Sequence, residues 1–565
     1  MTQAVATHSA GFDRTVEEYY KAWFRYYPEA AVEAGVPGYA HLLTPYDDEA
    51  RGALVNLNNA LRVALDELNG AGLSADQQVD AQVLGNSARL ENQQLIEIDP
   101  TRVNPARCLP VNAIYQLLIR PVADFPAALR ARLAAIPAHL AGAREYLQAR
   151  AAFVPPLWLQ SAATGAHRGA EFLEDLPNHP KAAALAGDTQ FKDAVEAAAR
   201  ALRGYADFLE TGIGPLAQGE FACGRTYFDE LLQRRHFLGI DADALHAFGE
   251  DLFARTRAEL NAVCRELGAD DVGALNRTIQ SHHPHPDELL AVYRREMQAA
   301  HEFLKRHALV TLPAVTRLEV VETPVFLRHQ IPFAAYCEPS PNDPAQQGYY
   351  YVTPPVDVEQ LAEHDDAGLR HTCVHEAWPG HHLQFVTANL NPPARSLPRL
   401  FNASATLYEG WALYCEQLMH EQGFLSQPEN RFILLRDRLW RALRIVIDVE
   451  IHTRGLSIDA AADRMVEHLG FPRSQALADL SWYSQAPTVP MGYAVGWALI
   501  NALRARQLAA LGADLKVFHD RLLSQGSIAL ALVIRRAFGE DAWIGALRAV
   551  FHGGAVKTES THVPS

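Results

Sequence analysis

The chain has 565 residues and a formal charge of −16, and no lysine/arginine-rich run interleaves with aromatics, which argues against a nucleic-acid partner. At 49% hydrophobic and 21% charged residues it reads as a soluble globular protein, long enough for two or more ordinary domains or one large helical one. No run of eighteen or more apolar residues appears, so no membrane span is expected. The opening residues lack the basic start and apolar core of a secretory signal. Six cysteines at 108, 223, 264, 337, 373 and 415 lack CxxC spacing and read as reduced thiols, so the expected location is cytoplasmic.

In chain order, helices come first. Residues 128–151 (ALRARLAAIPAHLAGAREYLQARA) and 191–212 (FKDAVEAAARALRGYADFLETG) carry alanine-rich 3.6-residue periodicity. Residues 241–267 behave alike and open on aspartates suited to capping. From about 309 to 356 the texture changes: LVTLPAVTRLEVVETPVFLR and GYYYVTPPV are rich in β-branched and aromatic residues with punctuating prolines, the mark of short strands. Helices return from about 366, with a polar tail after 553. The expected fold is mainly α, with one small sheet ahead of a histidine cluster and a loose subdomain boundary between 1–309 and 310–565.

That cluster is CVHEAWPGHHLQF, residues 373–385. Pro379 clashes with the carbonyl four residues back, that of His375, so a regular helix cannot run through it, and Gly380 eases an irregular turn. If two extra residues are absorbed there, His381 lands where a second metal ligand belongs, one turn after His375. The alternative pair, His375 with His382, would sit about 10.5 Å apart along a regular helix, so His382 is the second choice. Catalytic zinc usually takes three protein ligands and leaves a fourth position for water. Glu409, on the apolar stretch NASATLYEGWALYCEQLMHEQG, is the candidate third ligand. Glu416 and His420 lie on roughly the same stripe and suit supporting roles behind the ligands. Glu376, beside the first ligand, is the candidate general base. His371 reads as structural, the histidines of QSHHPHPDE (280–288) as a loop, and Cys373 and Cys415 as packing residues.

HEAWPGHHLQ and LYEGWALYCEQL resemble the DUF885 family of bacterial proteins, placed among the gluzincin-type zinc metallopeptidases. IPFAAYCEPSP, GYYYVTPP, RALRIVIDVEIH, GYAVGWALINALRAR and the opening EEYYKAWFRYYPEAAVEAGV extend the resemblance over nearly the whole chain. Oligopeptidases similar to thimet oligopeptidase have one residue between HE and GH, and dipeptidyl peptidase III has two. This sequence has three, a bulged HExxPGHH motif.

The resemblance implies a large gluzincin-like helical fold, one Zn2+ per chain, and hydrolysis of a peptide or small amide. It implies that Tyr493 hydrogen-bonds the developing oxyanion, and that GYYYVTPP is the edge strand against which an extended peptide pairs, with Tyr350 and Tyr351 facing the cleft. Arg441, Arg444, Asp448 and His452 share one helical face and resemble the family's Arg-Asp-His helix, as active-site support or a contact for a substrate carboxylate. Ahead of Tyr493, Trp482, Thr488 and Val489 stand where the family pattern has arginine, glycine and glutamine. That departure keeps open a metal-dependent tailoring enzyme acting on a non-peptide metabolite. A catalytically silent binding protein is the remaining alternative.

Overall fold

The computed structural model describes residues 2–68, 72–328, 331, 333–511 and 514–551; the tail after 553 lies outside them. The fold is mainly helical, with 25 α-helical segments and one three-stranded sheet among the described residues. None of these helices is long and apolar enough to cross a membrane by itself. No disulfide joins any of the six cysteines. The chain forms two compact units: Met1–Phe221 with Pro324–His329 and Ser340–Pro344, and Ala222–Thr323 with Gln330–Pro339 and Ala345–Ser565. Position 309/310 falls within the second unit, between the helix Leu289–His307 and the first strand.

In the first unit the helix Phe125–Ala149 begins where the Asp124 side chain accepts from the Ala127 N–H. It buries Leu129, Leu133, Ile136, Leu140, Ala143 and Leu147, a stripe of alternating steps of four and three. The helix Thr189–Phe208 supplies a facing stripe through Phe191, Val195, Ala198 and Leu202.

In the second unit Asp241 caps the helix Ala242–Glu266 at the Ala244 N–H, as its aspartates predict. This helix packs along Pro428–Thr453, closely enough that a Cβ on Gly249 would meet Ile445 Cγ2 at 2.9 Å. The strands are β1 (Arg317–Glu322), β2 (Ala334–Cys337) and β3 (Gln347–Val352), in the order β1-β3-β2. β1 runs parallel to β3 with Val320 opposite Tyr350, and β2 runs antiparallel to it with Tyr336 opposite Tyr350.

This order corrects one expectation. GYYYV is the central strand, hydrogen-bonded on both sides, and cannot receive a peptide along its edge. Tyr350 is fully buried with its ring 5.3 Å from that of Tyr293, and Tyr351 is buried as well, so these tyrosines pack the interior. A near-continuous aromatic run marks a strand covered by neighbours. The sheet's edges are β1 and β2.

Several histidines of this unit are buried neutral. Burial holds His364, His452 and His519 down to about 4, and His236 well below the ordinary 6.5. Their folded pKa values lie below the unfolded value, so unfolding takes up protons in acid. This contribution to stability is present above pH 6.5 and is lost as pH falls from 6.5 towards 4; each tenfold difference in proton affinity between the folded and unfolded imidazole is worth about 1.4 kcal/mol. The urea midpoint of chelator-treated protein should therefore fall steeply between pH 6.5 and 4.5; a flat midpoint across that range would contradict the assignment.

Candidate metal centre

The helix Asp366–Glu376 stops one residue after His375, and a second helix, His381–Leu390, starts at His381. Pro379 thus produces a full break between two helices, where the sequence predicted a bulge in one. A Cβ at position 380 would overlap the His375 carbonyl, so only glycine passes there. The Trp411 indole N–H, from the helix Ala405–Glu421, donates to the Pro379 carbonyl at 2.8 Å and pins the break.

Glu409 comes from the same helix Ala405–Glu421, capped by the Ser404 side chain at the Thr406 N–H. Tyr493 comes from Gly492–Leu511. These two helices cross backbone to backbone. A Cβ on Gly410 would lie 2.5 Å from Gly496 Cα, and one on Gly496 would overlap the Thr406 carbonyl. The spacing of Gly492 and Gly496 therefore sets how near Tyr493 comes to Glu409.

The break folds His381 back across His375, with ring centroids 4.8 Å apart and nearly perpendicular. Glu409 Oε2 stands 3.5 Å from His375 Nε2 and 3.2 Å from His381 Nε2. His375, His381 and Glu409 each offer one ligand atom, all within 4.8 Å of one another. Glu409 Oε2 is buried and makes no aligned hydrogen bond among the described residues. Two imidazole nitrogens and a carboxylate oxygen therefore converge on one point. Ligands held about 2.0–2.1 Å from a tetrahedral zinc sit about 3.3 Å apart, so the two contact distances fit that ion.

His382 is elsewhere. It is fully buried, with Nε2 2.7 Å from Thr316 Oγ1 and Nδ1 2.9 Å from the Tyr336 hydroxyl. Both ring nitrogens are occupied, and burial with the neighbouring His301 lowers its pKa to about 3. A Cβ on Gly348 would meet His382 Nδ1 at 2.9 Å, so the second position of β3 is held to glycine. His382 is an anchor between helix and sheet.

Behind His375, Glu416 Oε1 lies 2.7 Å from Nδ1, orienting the ring and directing Nε2 towards Glu409. Burial alone would lower the His375 imidazolium, but Glu409 and Glu416 outweigh it and raise it to about 10. Burial would likewise raise Glu409, but His381 and His375 hold it well below the carboxylate range. His371 is buried 3.7 Å from the second Glu416 oxygen, outside the ligand group. His420 is half-buried and lies outside it too.

His375, Glu376 and Tyr493 line one cavity of about 480 Å³, bordered by Ala334 of edge strand β2. Tyr493 stacks near His375, with centroids 6.3 Å apart and planes 18° apart. Burial, then the Glu409 carboxylate, pushes its hydroxyl well above the phenol range against Arg444 and Arg441, so it stays a donor.

The Arg-Asp-His stripe divides. Arg441 and Arg444 line the cavity. Asp448 and His452 are buried behind it: Asp448 Oδ2 accepts from the Thr488 N–H at 3.0 Å, and His452 Nε2 meets the Tyr483 carbonyl at 3.0 Å. They fix the turn that leads into Tyr493. Thr488 sits at φ 66°, a left-handed conformation costly for a β-branched residue. His236, between Thr488 Oγ1 and Ser404 Oγ, ties that turn to the cap of the glutamate helix. Periodicity did not reveal this link, because His236 lies far away in sequence. The QSHHPHPDE histidines sit around a short turn, Pro286–Glu288, and none joins a metal grouping among the described residues.

Residues 28–536 match the family described as "Bacterial protein of unknown function (DUF885)". The fold is shared with a "putative lipoprotein of unknown function" from Shewanella oneidensis, at 21% identity and a TM-score of 0.74 over 92% of this chain and 98% of that one. It is shared also with a "putative lipoprotein" from Colwellia psychrerythraea, at 20% identity and a TM-score of 0.79 over 93% and 98%. At these identities the likeness is one of fold. No curated protein matches in sequence.

The helix crossing can be tested directly. Gly496→Ala should destabilise the protein by about 1–3 kcal/mol, as overpacking does, read as a lower urea midpoint with an unchanged slope. An unaltered midpoint would show that the crossing is not tight.

Proposed function

The chain belongs to the DUF885 family, and on that footing we propose that it is a zinc-dependent hydrolase of gluzincin type, cleaving peptide or amide bonds with one zinc held by His375, His381 and Glu409. The observation that carries this reading is the spacing of 3.5 and 3.2 Å between the buried, unsatisfied Glu409 oxygen and the two histidine nitrogens. Two imidazoles and a carboxylate are the donor set of a catalytic zinc that keeps one position open.

Bound zinc supplies a Lewis acid that polarises a carbonyl and acidifies water to a pKa of about 7. The protein's own groups do the rest. Glu376 follows His375 directly and lines the cavity half-buried, so its carboxylate takes the water's proton and passes it to the leaving amine. Tyr493 remains protonated and donates to the oxygen that becomes negative, a contact stronger in the transition state than in the ground state. Glu416 keeps the His375 ring in the tautomer whose Nε2 is a lone-pair donor. The cavity suits a short peptide or a small amide.

Elemental analysis should find one zinc per chain, lost in His381→Ala and retained in His382→Ala. The latter should lose stability, because two buried hydrogen bonds go with it. Glu376→Gln should keep its zinc and lose about 10²–10⁴-fold in turnover on a panel of short peptides. Zinc-loaded Glu376→Gln with wild-type turnover would contradict the mechanism, and a wild-type chain that takes up no zinc would contradict the whole reading.

A further inference from the structure

The cavity lining includes two cations whose hydrogen-bonding capacity is only partly used. Arg441 and Arg444 are one turn apart on Pro428–Thr453, and both line the cavity with His375, Glu376 and Tyr493. Their guanidinium carbons rest on the same two rings, 4.6 and 3.9 Å from the Trp440 centroid and 5.7 and 4.8 Å from that of Tyr493. Such stacking fixes the planes and leaves the N–H edges for other partners.

The nearby carboxylates do not use those edges up. Asp437 is 3.6 Å from Arg441, and Asp479 is 3.7 Å from Arg444, both beyond hydrogen-bond length. Asp437 accepts from Arg436 Nε at 3.0 Å, while Asp479 accepts from the Tyr483 hydroxyl at 3.0 Å and the Trp440 indole at 3.2 Å. Arg444 directs Nε to the Tyr483 oxygen at 2.6 Å. Arg441 has only a 3.4 Å contact to the Asp437 carbonyl, and its buried Nε has no partner among the described residues. Arg441 is nine-tenths buried as a side chain. Two adjacent, largely buried cations with unspent donors form a site for an anion. Arg436 is not part of it, since Asp437 and Asn276 hold its donors.

Resting on the hydrolase reading, we infer that Arg441 and Arg444 bind a carboxylate of the substrate one residue beyond the scissile amide. The Tyr493 ring lies against both arginines and stacks near His375, so one aromatic side chain links the anion site to the reacting carbonyl. That closeness suits a free C-terminal residue, whose carboxylate lies one residue beyond the scissile amide, and an internal peptide bond offers no such charge. The substrate class is then a short peptide with a free C-terminus, or an N-acyl amino acid. Its hydrolysis breaks the amide C–N bond and forms a C–O bond from water. One carboxylate and one free amino acid leave, the water's protons ending on the amine.

The test uses full-length, zinc-loaded protein of measured metal content, titrated calorimetrically with N-(sulfanylacetyl)-L-phenylalanine and with its carboxamide. The thiol anchors both probes at the metal, and they differ only in the carboxylate. The acid should bind about tenfold or more tightly than the amide in wild type. That preference should vanish in Arg441→Gln and return in part in Arg441→Lys, while the amide binds all three alike. Equal binding of acid and amide by zinc-loaded wild type would overturn the inference and leave the metal centre standing. An acid preference that survives in Arg441→Gln would also overturn it. Absence of zinc from the wild-type sample before titration would instead bring down the hydrolase reading, and the inference with it.

Discussion

Gly380 must pass against the His375 carbonyl with no room for a side chain, and the geometry of the candidate site depends on that approach. Pro379 ends one helix, Gly380 turns the chain, and the next helix begins on His381. Two imidazoles separated by six positions therefore face each other in space. A second close approach, of Gly410 against Gly496, brings the glutamate and tyrosine helices together so that Glu409 and Tyr493 both reach His375 at the cavity wall. Both are steric constraints, met by leaving out a Cβ at the point of contact.

Electrostatics completes the centre and gives it a cost. Glu409 and Glu416 are largely buried carboxylates flanking one buried imidazole. Paired charges withdrawn from water need near-complete hydrogen bonding to break even. Glu416 meets part of that need at the His375 Nδ1, but Glu409 Oε2, close to both histidines, makes no aligned hydrogen bond among the described residues. A cation on the three ligand atoms would remove the deficit. In the same cavity Arg441 has the complementary deficit, a buried Nε without an acceptor among the described residues.

Much of this was legible in the sequence, because it follows from local patterns. The Asp-opened stretch at 241 becomes a capped helix, and the spacing of His375, His381 and Glu409 already grouped the residues that folding brings together. The centrality of GYYYV was not legible: its partner strands β1 and β2 are set by long-range pairing that no local pattern specifies. Helical spacing put Arg441, Arg444, Asp448 and His452 on one face. It could not say that the packing of the 483–488 turn covers the second pair and leaves the first in the cavity. Thr488 keeps its left-handed backbone through bonds to Asp448 and His236, residues remote in sequence.

The most direct test of the central claim is anomalous diffraction at the zinc absorption edge from crystals of the zinc-supplied protein. The prediction is one strong peak about 2.0–2.2 Å from His375 Nε2, His381 Nε2 and a Glu409 carboxylate oxygen. A peak on His382, or no peak between these three side chains, would contradict it.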